Sequence, residues 1–254
     1  MKLVQPRAWA ALALLLVTAI PASAVSPVPV TIGRSRDGVL HDLQRVVDRY
    51  FGPGRIDVLT GYIGARAGDP DPWMWTTVPG RPVVITLLEK KYPVGRVGWY
   101  SEQGPAPVLN GRDDGLLLER SRLRSVPTAV RLPPAVQRFG FYVEREAGGT
   151  AIDGDAQAYT YFTNRMLNEA SPQPGAALHT LYGGDIQMLV YDISRLAGPD
   201  TWLVACEYSN TAHPIGTLDG ESDNDFSDIV FTVTGVGVTP TLQTSFGRLK
   251  ALYR

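Results

Sequence analysis

The chain is poor in cysteine, and this shortage excludes two ways in which small proteins are often stabilised. Its only cysteine is Cys206, so the sequence can build neither a disulfide framework nor a thiolate metal site. Cys206 stands inside the apolar run TWLVACEY, where a lone cysteine is typical of a small buried hydrophobe. Stability must therefore come from a large apolar core, from bound ions, or from both.

The chain also lacks an excess of charge of either sign. It has 24 basic and 25 acidic residues, which give a formal net charge of −1. A protein that binds nucleic acid or an anionic membrane needs a basic patch, and the sequence gathers none. We therefore expect no nucleic-acid partner.

Long apolar runs are missing except at the N-terminus. There Lys2 and Arg7 precede the apolar stretch AWAALALLLVTAI, and the small residues ASA end at Ala24. This order is typical of a signal peptide, and the stretch is too short for a comfortable membrane span. We expect residues 1–24 to be removed by cleavage after Ala24, which leaves a secreted protein, extracellular or periplasmic, without a transmembrane segment.

One helix is predicted near the start of the mature chain. In RDGVLHDLQRVVDRYFGPG the apolar residues from Val39 to Tyr50 fall at helical spacing, Asp37 can cap the first turn, and Gly52 with Pro53 ends the pattern. A helix with this single apolar face is expected to pack against a core.

The rest of the chain is predicted to form short strands. The 26 glycines and 20 prolines of the sequence are spaced throughout it and favour turns between short segments. With so little helix between them, nine strands favour an all-β fold, an antiparallel β-sandwich or jelly roll. The predicted domain spans residues 36–238, after a linker at 25–35, and the tail at 239–254 is expected to form a short C-terminal helix. The nine segments are RIDVLTGYIGA, RPVVITLLEK, VGRVGWYSE, GLLLERS, TAVRLP, RFGFYVERE, DIQMLVYDI, TWLVACEY and DIVFTVTGVGV.

Acidic residues are concentrated in DGESDNDFSDIVFTV, residues 219–233, just before the last predicted strand. In an extended loop, alternation would place Asp219, Glu221, Asp223 and Asp225 on one side. Carboxylates this close repel one another unless a counter-charge is near, and Ca²⁺ prefers six to eight oxygen ligands. The spacing does not fit an EF-hand loop. A metal site and a solvated acidic loop therefore both stay open, and the strand beginning at Asp228 is expected to turn Ile229, Phe231 and Val233 toward the core.

A resemblance to a known family rests on the same stretch. DNDFSDIVFTV resembles the D-x-D-(F/Y)-N-D-(V/L)-V-F-x-V signature of a domain of unknown function in exported bacterial proteins, seen in adhesin-like chains and in proteins with a PEP-CTERM sorting tail. Further similar segments are VVITLLEKKYPVGRVGWYSE, FGFYVE, YTYFTNRMLNEA and WLVACEY, so the resemblance covers roughly residues 36 to 238. It implies one β-rich domain that is exported, binds Ca²⁺ and has no enzymatic activity.

The resemblance also implies ligands beyond the acidic loop. Asn168 matches a Leu-Asn position and Glu207 matches the first acid of a Glu-Asp pair, while Ser227 and Tyr208 depart from the family pattern. The ligands expected for a structural Ca²⁺ are Asp219, Glu221, Asp223, Asp225, Asp228, Glu207 and Asn168.

Two other functions remain as alternatives. In DPDPWMWTT, Trp73 and Trp75 would share one face of an extended segment, where they could stack on sugars in a carbohydrate-binding module or simply cover an open end of the sandwich. A secreted hydrolase is the second alternative, although the sequence has no G-x-S-x-G, H-E-x-x-H, P-loop or dinucleotide motif, and its three histidines are scattered.

The function expected first is that of a non-enzymatic, calcium-binding module with a structural or adhesive role at the cell surface or in the matrix. Its expected partners are glycans or other surface components.

Overall fold

The computed structural model describes most of the predicted domain. The described residues are 32, 42–63, 74–91, 96–101, 109, 111–112, 114–118, 127–130, 132–145, 159–164, 168, 186–207 and 225–238. The predicted signal peptide and the predicted C-terminal helix lie outside them. No helix in this part of the chain is long and apolar enough to cross a membrane.

Eleven strands in the described ranges form two antiparallel sheets. The first sheet has the order β11 (Val236–Val238), β1 (Trp75–Thr77), β6 (Arg138–Arg145), β3 (Arg96–Ser101) and β4 (Asp114–Leu118), and β7 (Tyr159–Phe162) also pairs with β6. The second sheet has the order β5 (Thr128–Val130), β2 (Val83–Lys90), β10 (Ile229–Thr234), β9 (Trp202–Cys206) and β8 (Met188–Asp192). All pairings are antiparallel, which confirms the predicted all-β sandwich.

The main core lies between the two sheets. Alternate residues of the longer strands enter it, and Ile229, Phe231 and Val233 of β10 do so as predicted. Phe141 of the first sheet and Phe231 of the second meet there with ring centroids 5.2 Å apart. Each large apolar side chain buried in this way stabilises the fold by about 1.5–3 kcal/mol.

A second core covers the outer face of the second sheet. Helix α1 (Asp42–Phe51) buries Leu43, Val46 and Val47 against it, together with Phe226, which precedes β10. The prediction of a packing helix is confirmed for these residues. Gly52, with a φ of 93°, allows the chain to turn away at its end.

The strand predicted in RIDVLTGYIGA is wrong for its described residues, 55–63, because the chain forms turns and bends there. The carboxylate of Asp57 accepts hydrogen bonds from the backbone N–H of Leu59, at 2.9 Å, and from the hydroxyl of Thr60, at 2.6 Å. These local bonds replace a strand ladder. The apolar residues of the segment, Val58 and Tyr62, instead join the second core.

The predicted strand DIVFTVTGVGV is in fact two strands in different sheets, β10 and β11. Gly235 joins them with a φ of 75°, and a Cβ at this position would collide with the carbonyl oxygen of Pro82. Only glycine fits such a turn without strain. Strands β1 and β7 and the short helix α2 (Ser194–Ala197) were not predicted.

Glycine and tyrosine alternate across the centre of the first sheet. In the register of β3 and β6, Gly98 faces Tyr142 and Tyr100 faces Gly140. Each tyrosine ring lies over the opposite glycine, so closely that a Cβ at Gly140 would be 2.6 Å from the ring of Tyr100. The sequence pairs GWY and FGFY therefore encode two interlocking cross-strand contacts.

Candidate functional site at the start of strand β10

Four strands of the second sheet end side by side where β10 begins. The backbone N–H of Lys91, just after β2, donates to the carbonyl of Asp228, and the N–H of Glu207, just after β9, donates to the carbonyl of Gln187. Ile229 pairs with Cys206, so Asp228 and Glu207 are neighbours across the ladder. Carboxyl groups that are far apart in the sequence thus meet at one sheet end.

The residues before β10 form a tight turn. Oδ1 of Asp225 accepts hydrogen bonds from the backbone N–H of Ser227, at 2.8 Å, and from its hydroxyl, at 2.9 Å. Between them Phe226 has a φ of 53°, which is uncommon for a side chain of this size. Its N–H donates to Oε2 of Glu207 at 3.4 Å, and its ring is buried in the second core. The turn is therefore fixed by polar contacts and by an apolar anchor.

A lysine provides the positive charge in this turn. Nζ of Lys91 lies 2.5 Å from Oδ2 of Asp225 and 2.8 Å from Oδ2 of Asp42, at the start of α1. Burial alone would lower the pKa of Lys91, but the hydrogen bonds and charges of these two carboxylates outweigh it and raise the pKa above its ordinary value. We call Lys91, Asp42 and Asp225 the lysine clasp.

The clasp is one of several contacts that attach α1 to the end of β2. Arg49 forms an ion pair with Glu89 at 3.2 Å, and the hydroxyl of Tyr50 donates to the carbonyl of Leu88 at 2.7 Å. Leu88 is the extra residue where the register between β2 and β10 shifts, since Val230 pairs with Glu89 and Phe231 with Leu87. The bulge turns the carbonyl of Leu88 toward the helix, where the hydroxyl of Tyr50 donates to it.

Three of the seven predicted metal ligands meet at this site. Glu207, Asp225 and Asp228 are 2%, 0% and 4% exposed and lie at neighbouring strand ends. The charges of Asp228 and Glu207, after burial itself, raise the pKa of Cys206. Asp225, however, has its counter-charge from Lys91, a role that the sequence analysis considered for Ca²⁺.

Asn168 lies beside β7 of the first sheet, where its amide accepts from the N–H of Phe162 at 2.7 Å and donates to the carbonyl of the same residue at 2.9 Å. Its described contacts are therefore with β7, and its role as an ion ligand stays a prediction. Asp219, Glu221 and Asp223 lie outside the described residues.

The described carboxylates alone do not form a metal centre. Within the described ranges no group of three or more histidine, cysteine, aspartate or glutamate side chains is arranged to hold a metal ion. Oxygen ligands from the acidic loop upstream of Asp225 would have to complete such a centre.

Sequence reasoning missed Lys91, the cation that pairs with Asp225, and Asp42, the second carboxylate of the lysine clasp. Lys91 is 134 residues away from Asp225 and sits in the run LLEKKY, which carries no local sign of an ion pair. The register that pairs β2 with β10 brings it there. Knowledge of that pairing would have been needed to find the clasp.

The structure describes one of the two tryptophans that are proposed to stack on sugars. Trp75 is fully buried in the main core, with its ring centroid 4.9 Å from that of Phe141. A buried indole offers no face to a sugar ring, so the expected binding role of Trp75 is corrected to a core role. Trp73 lies outside the described residues, as do all three histidines. Cys206 is buried, as predicted for a small apolar residue.

Comparisons with known proteins add no further constraint on the function. The chain matches no family model, no curated protein and no solved structure.

Proposed function

We propose that the protein is a secreted, non-enzymatic β-sandwich module that binds Ca²⁺ through its acidic loop and has a structural or adhesive role at the cell surface or in the matrix. The observation that carries this proposal is the convergence of Glu207, Asp225 and Asp228 at the point where the acidic loop enters β10. Carboxylate oxygens are the ligands that Ca²⁺ prefers, and an ion bound by the acidic loop could take further oxygens from this end of the sheet.

The lysine clasp supports a division of roles along the acidic loop. Asp225 is committed to Lys91 and Ser227, and it fixes the position at which the loop meets the sheet. The acids upstream, Asp219, Glu221 and Asp223, are then attached to a rigid end close to two further buried carboxylates. A loop held in this way loses less conformational entropy when an ion binds.

The expected affinity follows from the proposed compartment. Calcium sites in extracellular modules have dissociation constants of about 10⁻⁴–10⁻³ M, and they stabilise loops. An ion that joins the acidic loop to the end of the second sheet would give a structural module its rigidity outside the cell.

A titration of the mature, ¹⁵N-labelled protein with CaCl₂, followed by amide chemical shifts, tests this proposal. We expect a saturable change with a dissociation constant of about 10⁻⁴–10⁻³ M, largest at the amides of residues 219–228 and 207. The variant Asp219→Asn/Glu221→Gln/Asp223→Asn should lose it while the clasp is retained.

A matched variant controls for the loss of charge. Asp192→Asn/Asp200→Asn also removes acids, both at the end of the second sheet opposite to the start of β10, and should bind Ca²⁺ as the wild type does. If the chemical shifts do not change up to 20 mM CaCl₂, residues 219–228 form a solvated acidic loop that binds no Ca²⁺, and the proposal is wrong. Equal binding by the loop variant would place the ion elsewhere.

A further inference from the structure

Helix α1 and the turn before β10 meet at the lysine clasp. Nζ of Lys91 lies 2.5 Å from Oδ2 of Asp225 in the turn and 2.8 Å from Oδ2 of Asp42 in the first turn of the helix. The two carboxylate side chains are at most 4% exposed. Arg45 also pairs with Asp42, but it belongs to the same helix and does not connect it to the sheet. Lys91 is therefore a polar link between α1 and the turn.

An apolar contact joins the same two elements. The ring of Phe226 is fully buried in the second core, to which α1 contributes Leu43, Val46 and Val47. The backbone of Phe226 has a φ of 53°, in a region that large side chains rarely adopt. Such strain persists only where the surrounding contacts hold it. If α1 left the sheet, the ring would lose its cover, and φ would be free to return to its ordinary range.

The position of α1 allows it to leave the sheet while the sandwich stays folded. The helix lies outside both sheets and packs through one apolar face. Its further links to β2, the ion pair of Arg49 with Glu89 and the hydrogen bond of Tyr50 to Leu88, are exposed. Peripheral elements of this kind open at a lower free energy than core strands. Undocking of α1 would expose the apolar outer face of the second sheet.

We propose that Ca²⁺ bound at the start of β10 locks α1 onto the second sheet through the lysine clasp and Phe226. This inference rests on the proposed Ca²⁺ binding and adds the conformational change that the ion controls. The docked helix holds the turn in place, so that the acidic loop enters the sheet beside Asp228 and Glu207. An ion that prefers this arrangement shifts the equilibrium toward the docked helix, and docking raises the affinity for the ion by the same factor.

The affinity expected of the site sets the range over which the lock acts. With a dissociation constant of about 10⁻⁴–10⁻³ M, α1 is fixed where Ca²⁺ reaches millimolar concentrations. Where Ca²⁺ is scarce, the helix opens more readily.

Hydrogen exchange of the mature, ¹⁵N-labelled protein at pH 7, followed by NMR, tests the proposal. The amides of residues 47–51 in α1 should exchange faster than those of residues 141–143 in β6, because the helix opens separately. In 10 mM CaCl₂ the exchange at 47–51 should slow by about 10–100-fold, which is the factor 1 + [Ca²⁺]/Kd. NaCl at the same ionic strength, about 30 mM, should not slow it.

Two matched variants separate the clasp from the other contacts of the helix. Asp42→Asn removes the helix carboxylate of the clasp, and Arg49→Gln removes an ion pair of the same helix that does not involve the turn. Both should speed the exchange of α1 in the absence of Ca²⁺. The slowing by Ca²⁺ should stay as in the wild type in Arg49→Gln and be at least threefold smaller in Asp42→Asn. Unchanged chemical shifts of β6 show that each variant is folded.

The outcomes distinguish this inference from the calcium proposal. If the amide shifts of residues 219–228 saturate with CaCl₂ while exchange at 47–51 does not slow, the ion binds without locking the helix, and this inference alone is wrong. It is also wrong if α1 and β6 exchange at equal rates, or if Ca²⁺ slows exchange equally in the two variants. If CaCl₂ changes no amide shift, both proposals fail.

Discussion

Lys91 and Asp225 form an ion pair, with Nζ and Oδ2 2.5 Å apart, between two residues separated by 134 positions in the sequence. Asp225 is completely buried, and the side chain of Lys91 is 24% exposed. The pair links the end of β2 to the acidic signature before β10. The signature therefore has a structural role in the sandwich besides any role in binding an ion.

Removal of one partner of this pair should be strongly destabilising. We expect Lys91→Met to lower the free energy of unfolding by about 3 kcal/mol, because it removes the cation that pairs with the fully buried Asp225, whereas Asp42 keeps its ion pair with Arg45. Urea unfolding at pH 7, followed by circular dichroism, measures the change.

The ion pair between Arg81 and Asp200 is the matched control. Its side chains are 55% and 47% exposed, so Arg81→Met should cost no more than about 1 kcal/mol. If Lys91→Met and Arg81→Met lower the free energy of unfolding equally, the clasp contributes no more to stability than a surface ion pair.

Gly98 and Tyr142 should be energetically coupled. Gly98→Ala places a methyl group where the ring of Tyr142 lies, and we expect a loss of about 1–3 kcal/mol. In a Tyr142→Ala background the same change should cost much less, because the ring is gone. A double-mutant cycle by urea unfolding gives the coupling free energy, and additive effects would contradict the proposed contact.

Gly235→Ala tests the turn that carries the chain from one sheet to the other. The substitution adds a strained positive φ and a clash with the carbonyl of Pro82. Gly80→Ala is its control, since Gly80 has a φ of 77° and no atom lies within 4 Å of the point where a Cβ would stand. Both should be destabilising, with Gly235→Ala the more so by at least about 1 kcal/mol. Equal losses of thermal stability would exclude the clash.

Stability should fall at alkaline pH. Burial, with the charges of Asp114 and Glu144, raises the pKa of Tyr142 to about 12, whereas an unfolded tyrosine ionises near about 10. Between these values the unfolded chain loses its proton first, so the free energy of unfolding decreases as pH rises. The raised pKa of Lys91 acts in the same direction, since its contribution is complete below about 10.5 and lost above that.

Tyr142→Phe isolates one part of this effect. Between pH 9 and pH 11.5 the variant should lose less stability than the wild type in urea unfolding. If the free energy of unfolding of the variant falls with pH as steeply as that of the wild type, Tyr142 ionises as readily in the folded state as in the unfolded one.

Periodicity predicted the fold class because alternate residues of several strands enter the main core, as Ile229, Phe231 and Val233 do. It failed at RIDVLTGYIGA, where the carboxylate of Asp57 accepts from the N–H of Leu59 and its carbonyl from the N–H of Gly61, so that turns replace the strand. It also failed at Gly235, because one apolar pattern continues through a turn that changes sheets.

The candidate site could be predicted only in part. The acidic signature drew attention to Asp225 and Asp228, and the resemblance added Glu207, which does lie beside them. Lys91 and Asp42 reach the site through strand pairing and helix docking, which no local pattern shows. Trp75 was misplaced for the same reason, since spacing along the chain does not say which core a residue joins.

The most direct test of the central claim is thermal unfolding of the mature protein in EDTA and in 10 mM CaCl₂. For a dissociation constant of about 10⁻⁴–10⁻³ M, the ion should stabilise the folded state by about 1.4–2.7 kcal/mol and raise the midpoint by several degrees. The variant Asp219→Asn/Glu221→Gln/Asp223→Asn should show no such rise. Equal midpoints of the wild type in EDTA and in CaCl₂ would contradict calcium binding by the acidic loop.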